Sequence, residues 1–262
     1  MVLCAMLLVF EACKRVPITG RQQVSFVNEG ELSALSSQEY NKFLSENKII
    51  RSGRDAERIQ TIGKNIAAAV EQYYRKNNLQ KELENFAWEF NLVDDKTVNA
   101  WCMPGGKVVF YTGIIPVCAD DDGIAVVMGH EIAHAVARHG NERMSQGLLA
   151  QFGGMALSVA VASQPTATQD LFMTAYGVGA NVGVLLPFSR KHESEADKLG
   201  LVFMTMAGYN PDKAPAFWQR MAGEGGNEPP EFISTHPNSS TRIKDLTNYI
   251  PIARRYASEY SN

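Results

Sequence analysis

The sequence predicts a mostly helical α+β fold in which a small antiparallel sheet directly precedes one central buried helix. Three observations carry this. Ile124 to Ala137 is a largely apolar run without proline, long enough for a buried helix. Three short β-branched and aromatic segments lie just before it, between Trp88 and Thr112, separated by turn residues. Apolar residues at helical spacing recur elsewhere, as in Ile59, Ile62, Ile66, Ala69, Val70 and Tyr73.

Composition sets the outer limits. The chain has 262 residues, 45% of them hydrophobic, enough for a real core. The net charge is −3 and no basic stripe stands out, so no nucleic-acid partner is expected. Cys4, Cys13, Cys102 and Cys118 form no CxxC pair, which excludes a zinc ribbon or a dithiol redox motif. Cys102 and Cys118 read either as a bridge or as small buried residues.

In chain order, Met1 to Phe10 resembles the apolar core of a secretory signal peptide and is too short to span a bilayer. Val9-Phe10-Glu11-Ala12-Cys13 resembles a bacterial lipoprotein cleavage site. Residues 1–13 are therefore expected to be a leader, with Cys13 lipidated and the mature protein exported to the periplasm and membrane-anchored. Residues 14–28, with Val16-Pro17-Ile18-Thr19-Gly20-Arg21, read as an extended, turn-rich linker. Residues 29–262 read as a single domain. Glu29 to Asn47 is a helix with Asn28 as candidate N-cap, and Asp55 to Arg75 is a longer one carrying the apolar stripe.

Trp88–Val93, Val98–Met103 and Lys107–Thr112 are the expected strands, with Asp94-Asp95 and Pro104-Gly105-Gly106 as turns. A sheet edge beside a metal can hold an extended peptide as an added strand. Asn99-Ala100-Trp101 or the segment around Val108 is the candidate edge; alternatively these strands only cover the helix. Asp120-Asp121-Asp122 opens the central helix and suits the positive end of its dipole. The helix is expected to end near His139-Gly140. Gly147–Ala162 and Leu171–Leu186 read as two apolar helices forming a hairpin, each short of a comfortable membrane span.

The central helix contains His130-Glu131-Ile132-Ala133-His134. Residues four apart share a helix face, so His130 and His134 can aim two imidazole nitrogens at one point. That is a two-ligand zinc pattern, with Glu131 beside it to act as base towards water. His139, nine positions after His130, falls on the opposite face and is excluded as a ligand. Glu193-Ser194-Glu195-Ala196-Asp197 begins a later helix. A catalytic zinc needs three protein ligands, and Glu193 supplies the third. Asp197, one turn on, can accept the free N–H of a liganding histidine. Glu195 and His192 are expected to point away, to the surface.

These motifs together resemble the HtpX and CAAX-prenyl-endopeptidase family of zinc metallopeptidases, in particular its soluble bacterial periplasmic and mitochondrial Oma-type members. Val16 to Arg21, Asn99 to Gly113, and Thr235-His236-Pro237 with Arg242 share the resemblance, which thus covers nearly the whole mature chain. The resemblance implies a zincin-like (gluzincin) fold, one zinc ion per chain and endopeptidase activity on protein or peptide substrates. It further implies that His236 is either an inhibitory fourth ligand or a donor to the transition-state oxyanion. Asn99 and Ala100 are candidate substrate-binding residues. Arg242 either braces the His236 loop, binds a substrate carboxylate or makes a structural ion pair. The expected role is envelope quality control of misfolded or unassembled proteins. Two other readings stay open: a zinc-bearing chaperone or adaptor with little proteolysis, and an integral-membrane protease.

Overall fold

The computed structural model describes residues 13–152, 172, 189–224, 230–236 and 241–260. Its first element is a hairpin of β1 (Cys13–Arg15) and β2 (Gln22–Val24), paired antiparallel with Lys14 opposite Gln23. The stretch expected as a linker is therefore extended and turn-containing but folded back on itself. Its turn is closed by Gly20 N–H donating to the Val16 carbonyl at 2.9 Å. Helix α1 (Glu29–Glu46) follows, capped by Asn28 Oδ1, which accepts from the backbone of Gly30 at 2.8 Å and Glu31 at 3.3 Å. A short strand β3 (Ile49–Ile50), not expected from sequence, leads into α2 (Arg54–Lys76).

The sheet is completed by β4 (Glu89–Val93), β5 (Ala100–Met103) and β6 (Lys107–Tyr111), in the order β3-β4-β6-β5. The expected mostly helical α+β fold stands, with one refinement. The sheet is mixed rather than antiparallel throughout, because β4 and β6 run parallel, with Phe90 opposite Val108 and Leu92 opposite Phe110. The chain reaches β6 by first making β5 at the sheet edge, and β5 then pairs antiparallel to β6 with Cys102 opposite Val108.

All five residues of β6 are buried. Val108 and Phe110 face a core shared with Ile59, Ile62 and Ile66 of α2, while Val109 and Tyr111 face Tyr40 and Phe43 of α1. Alternate side chains of one strand thus serve two layers. Each such large apolar side chain contributes about 1.5–3 kcal/mol through removal from water.

Beyond a short turn of helix, α3 (Ile115–Cys118), Asp120 caps α4 (Asp121–Val136) by accepting from Gly123 N–H at 2.8 Å. Helix α4 packs on α2 and β5, and its residues from Gly123 to His134 are all buried. It stops earlier than expected. Arg138 adopts φ 57°, which reverses the chain, and a new helix, α5 (His139–Phe152), starts at once. Apart from the start of the first and Phe172, the two apolar helices expected between Gly147 and Leu186 lie outside the described residues.

Helix α6 (Arg190–Met206) lies against α4 and is capped by Ser189 Oγ, which accepts from His192 N–H. The two helices meet at Gly129 and Gly200. A Cβ on Gly200 would lie 2.8 Å from the carbonyl carbon of Gly129 and 2.8 Å from the backbone nitrogen of His130. Only two glycines allow this approach. Helices α7 (Lys213–Gly223), α8 (Glu231–Thr235) and α9 (Arg242–Tyr260) close the far side, with α9 lying along α6. Cys102 and Cys118 are buried and free, not bridged. Among the described residues no helix is long and apolar enough to cross a membrane.

Candidate metal centre

The glycine crossing brings the middle of α4 against the first turns of α6. His130 and His134 on α4, Glu193 on α6 and His236, just after α8, then offer ligand atoms that all lie within 4.8 Å of one another, and all four residues are buried. His134 Nε2 lies 3.0 Å from His130 Nε2 and 3.3 Å from Glu193 Oε1. His236 Nδ1 lies 3.0 Å from Glu193 Oε1 and 3.3 Å from His130 Nε2.

The far sides of both α4 imidazoles are engaged. His130 Nδ1 is 3.0 Å from Asp197 Oδ1, and His134 Nδ1 is 2.9 Å from His139 Nδ1. If those outer nitrogens carry the ring protons, both Nε2 lone pairs converge on the same point. Two lone pairs and a carboxylate facing each other in a buried space call for a cation. Glu131, 2% exposed, gives the same indication: its Oε1 has no hydrogen-bond partner, and His236 Nε2 stands 3.5 Å away. The donor set of imidazole and carboxylate suits zinc.

Charge on the neighbouring helices shapes this centre. Burial raises the Glu131 carboxyl above its usual range, with His236 and His130 partly offsetting that. For Glu193 burial acts in the same direction, but His236, His130 and His134 prevail and hold it well below the usual carboxylate range. Burial alone would depress the His130 imidazole; Asp197 and Glu193 more than offset it and bring it up to about 9. His134, by contrast, is held well below its ordinary value, mainly by burial.

Arg242, the first residue of α9, braces the whole arrangement. Its Nη2 donates to Asp197 Oδ1 at 2.6 Å, its Nη1 lies 3.1 Å from Glu193 Oε2, and its guanidinium carbon sits 3.2 Å over the Trp218 ring of α7. Arg242 thus makes buried ion pairs with Asp197 and Glu193. His236 is held by its own N–H donating to the Phe232 carbonyl at 2.9 Å and by stacking on the Phe232 ring at 4.6 Å.

The candidate edge segments separate clearly. Val108 lies in the central strand β6, bonded on both sides, so it is no edge. Ala100 begins β5, the outer strand beside α4, and Asn99 directly precedes it. Both are buried, and the Ala100 N–H is already taken by Asn99 Oδ1 at 2.9 Å. Asn99 Nδ2 donates to Glu231 Oε1 at 3.1 Å, and Phe232 N–H donates to the Val98 carbonyl at 3.2 Å, which ties α8 and its histidine to this edge.

Two sequence expectations are corrected. Glu195 and His192 are not at the surface; both are buried. Glu195 Oε2 accepts from His139 Nε2 at 3.0 Å and from Arg21 Nε at 2.7 Å, and Thr19 donates its hydroxyl to the other oxygen. Arg21 also forks onto both oxygens of Glu142, at 2.9 and 2.7 Å, and His192 Nε2 bonds Glu142 Oε2 at 3.0 Å. His139 is indeed outside the four-donor cluster, but it stands directly behind His134. The chain reversal at Arg138 puts it there, and a continuous helix would not. Burial depresses the His139 imidazole to about 4 against the pull of Glu195.

The model of the family described as Peptidase family M48 matches residues 55–250, which hold the whole donor cluster. The chain belongs to peptidase family M48. It is 40% identical over 174 residues to the mitochondrial metalloendopeptidase OMA1 of Schizosaccharomyces pombe, covering 66% of this chain and 49% of that protein. Identity to the human mitochondrial metalloendopeptidase OMA1 is 29% over 245 residues, covering 90% and 46%. The beta-barrel assembly-enhancing protease of Escherichia coli is 26% identical over 167 residues, covering 62% and 34%. The chain spans about half the length, or less, of these M48 relatives.

Membership of M48 places the chain in a peptidase family, and its four-donor cluster accommodates one zinc ion. The relatives also overturn an expectation. A periplasmic lipoprotein anchored at Cys13 was expected, yet the M48 proteins of higher identity are mitochondrial. A short apolar run ending in cysteine is compatible with more than one kind of N-terminal segment, so it is a poor guide to location.

Proposed function

We propose that this chain is a zinc-dependent endopeptidase in which His130, His134 and Glu193 hold the metal and Glu131 is the general base. The observation that carries this is the buried Glu131 oxygen without a hydrogen-bond partner beside the convergent nitrogens of His130 and His134. Zinc, when bound, supplies Lewis acidity that polarises a carbonyl and lowers the pKa of water towards neutrality. Glu131 takes a proton from the attacking water as the new C–O bond forms. It returns that proton to the amine nitrogen as the C–N bond breaks. Its raised pKa suits both transfers. Asp197 fixes the His130 ring and its tautomer, and Arg242 fixes Asp197 and Glu193.

The outer side of β5 supports recognition of an extended peptide by strand addition, with α8 bounding one end of the strand. Such recognition reads backbone more than sequence, which suits misfolded or unassembled protein clients. His236 supports a second reading. Its Nδ1 stands among the metal donors, so the resting chain is latched: zinc-bearing, with little proteolysis until His236 turns away. The test is casein cleavage by the zinc-loaded chain and by its Glu131→Gln variant. Loss of cleavage with zinc retained is expected; equal cleavage by both refutes Glu131 as base. Inactivity of both, with activity appearing in His236→Ala, supports the latched form.

A further inference from the structure

We propose that His139 is a positioning residue for the zinc ligand His134, and that the N-terminal hairpin anchors it through Glu195 and Arg21. This rests on the reading of His134 as a ligand. For His134 Nε2 to face the metal, its ring proton must sit on Nδ1. That proton has an acceptor at 2.9 Å in His139 Nδ1. Accepting there leaves the His139 proton on Nε2, which donates to Glu195 Oε2 at 3.0 Å. Glu195 is fixed in turn by the Thr19 hydroxyl and by Arg21 Nε at 2.7 Å.

Every link in this series has one donor and one acceptor, and no proton need be shared or absent. The two ligands from α4 are thus supported differently. His130 donates straight to a carboxylate, Asp197, whereas His134 reaches a carboxylate through an interposed imidazole. The interposed ring is clamped: it is fully buried and stacks on His192 with centroids 4.6 Å apart and planes 19° from parallel. His192 itself bonds Glu142, whose two oxygens Arg21 grips. One arginine of the hairpin therefore fixes both carboxylates that hold the histidine pair. The hairpin precedes the family match at residues 55–250, so the support for His134 extends outside the region by which the family is recognised.

The experiment measures zinc affinity of the full chain by chelator competition, together with the visible spectrum of the Co2+-loaded form. It compares wild type, His139→Leu, His139→Asn and Arg21→Gln. Losing an outer partner of a metal-bound histidine typically weakens metal binding about 10–100-fold, and His139→Leu is expected in that range with an altered Co2+ spectrum. His139→Asn keeps an acceptor near the Nδ1 position and is expected to recover most of the affinity. Arg21→Gln is expected to weaken zinc binding by a smaller factor. Affinity of His139→Leu equal to wild type overturns the proposal, and so does an Asn variant as weak as the Leu variant, since that marks a packing effect. If His139→Leu does not fold, Arg21→Gln decides: weakened zinc binding supports the proposal and unchanged binding overturns it. Wild-type chain that takes up no zinc refutes the ligand reading instead.

Discussion

Replacing Gly200 with alanine tests whether the helix crossing creates the metal centre. The new Cβ would stand 2.8 Å from two backbone atoms of α4, where ordinary contact begins at 3.4 Å. Backbone atoms within a buried helix cannot step aside, so α6 must withdraw by about 0.6 Å at that point. Overpacking of this kind costs about 1–3 kcal/mol. At roughly 2–4 °C per kcal/mol for a chain of this size, melting should fall by about 2–12 °C. The functional effect should be larger than the loss of stability suggests. Glu193 and Asp197 ride on α6 and would move with it, while metal sites tolerate shifts of only about 0.2 Å. Zinc affinity, read by chelator competition, should fall at least tenfold, and peptidase activity about 10–100-fold. Gly223→Ala is the matched control, because a Cβ there meets nothing within 4 Å. A Gly200→Ala chain that keeps wild-type melting and zinc affinity refutes the argument that close approach of α4 and α6 sets the site.

Three further outcomes follow from the charge arrangement. Arg242→Met should destabilise the chain by about 3–5 kcal/mol in urea unfolding, because it strands Asp197 and Glu193 in a buried site; a loss below about 1 kcal/mol would contradict the bracing role. Against burial, Asp197 and Glu193 bring the His130 imidazole up to about 9, so zinc must displace its ring proton and apparent affinity should fall about tenfold per unit as pH drops below that value; a flat profile between pH 6 and 8 would exclude this. Burial works against ionisation of Glu142, yet His192 and Arg21 bring it down to about 2 from an ordinary 4.5. A carboxyl depressed on folding stabilises the protein above its unfolded value and loses that contribution as pH falls from about 4.5 through about 2. The contribution is at most about 3 kcal/mol, and Glu142→Gln should flatten the acid side of the stability curve measured by denaturant titration.

What was legible in the sequence was what helix geometry alone decides. His130 with His134, and Glu193 with Asp197, are each one turn apart, and a turn of helix places such pairs without knowledge of anything else. His236 and Arg242 have no such spacing, and only the family resemblance singled them out. The surroundings of His139 and Glu195 were hidden for a different reason. Treating α4 as continuous puts His139 on the wrong face, and a single left-handed residue, Arg138, undoes that argument. Glu195 looks solvent-facing until the hairpin folds over it, and nothing local to α6 announces the hairpin. The pairing direction of β4 and β6 was equally silent, since a period of two is the same in parallel and antiparallel strands. One usable signal was available: Lys107-Val108-Val109-Phe110-Tyr111 is almost continuously apolar, as a strand covered on both faces should be.

The Arg242 brace also bears on when the metal centre can assemble during synthesis. His134 leaves the ribosome about 60 residues before Glu193, an interval of roughly 3–12 s at common elongation rates. Arg242 lies 112 positions beyond His130. Until α9 emerges, Asp197 and Glu193 have no guanidinium to neutralise them, and Trp218 has no cation to cover it. The nascent chain therefore carries its two α4 histidines well before the guanidinium that braces Glu193 and Asp197 has been made.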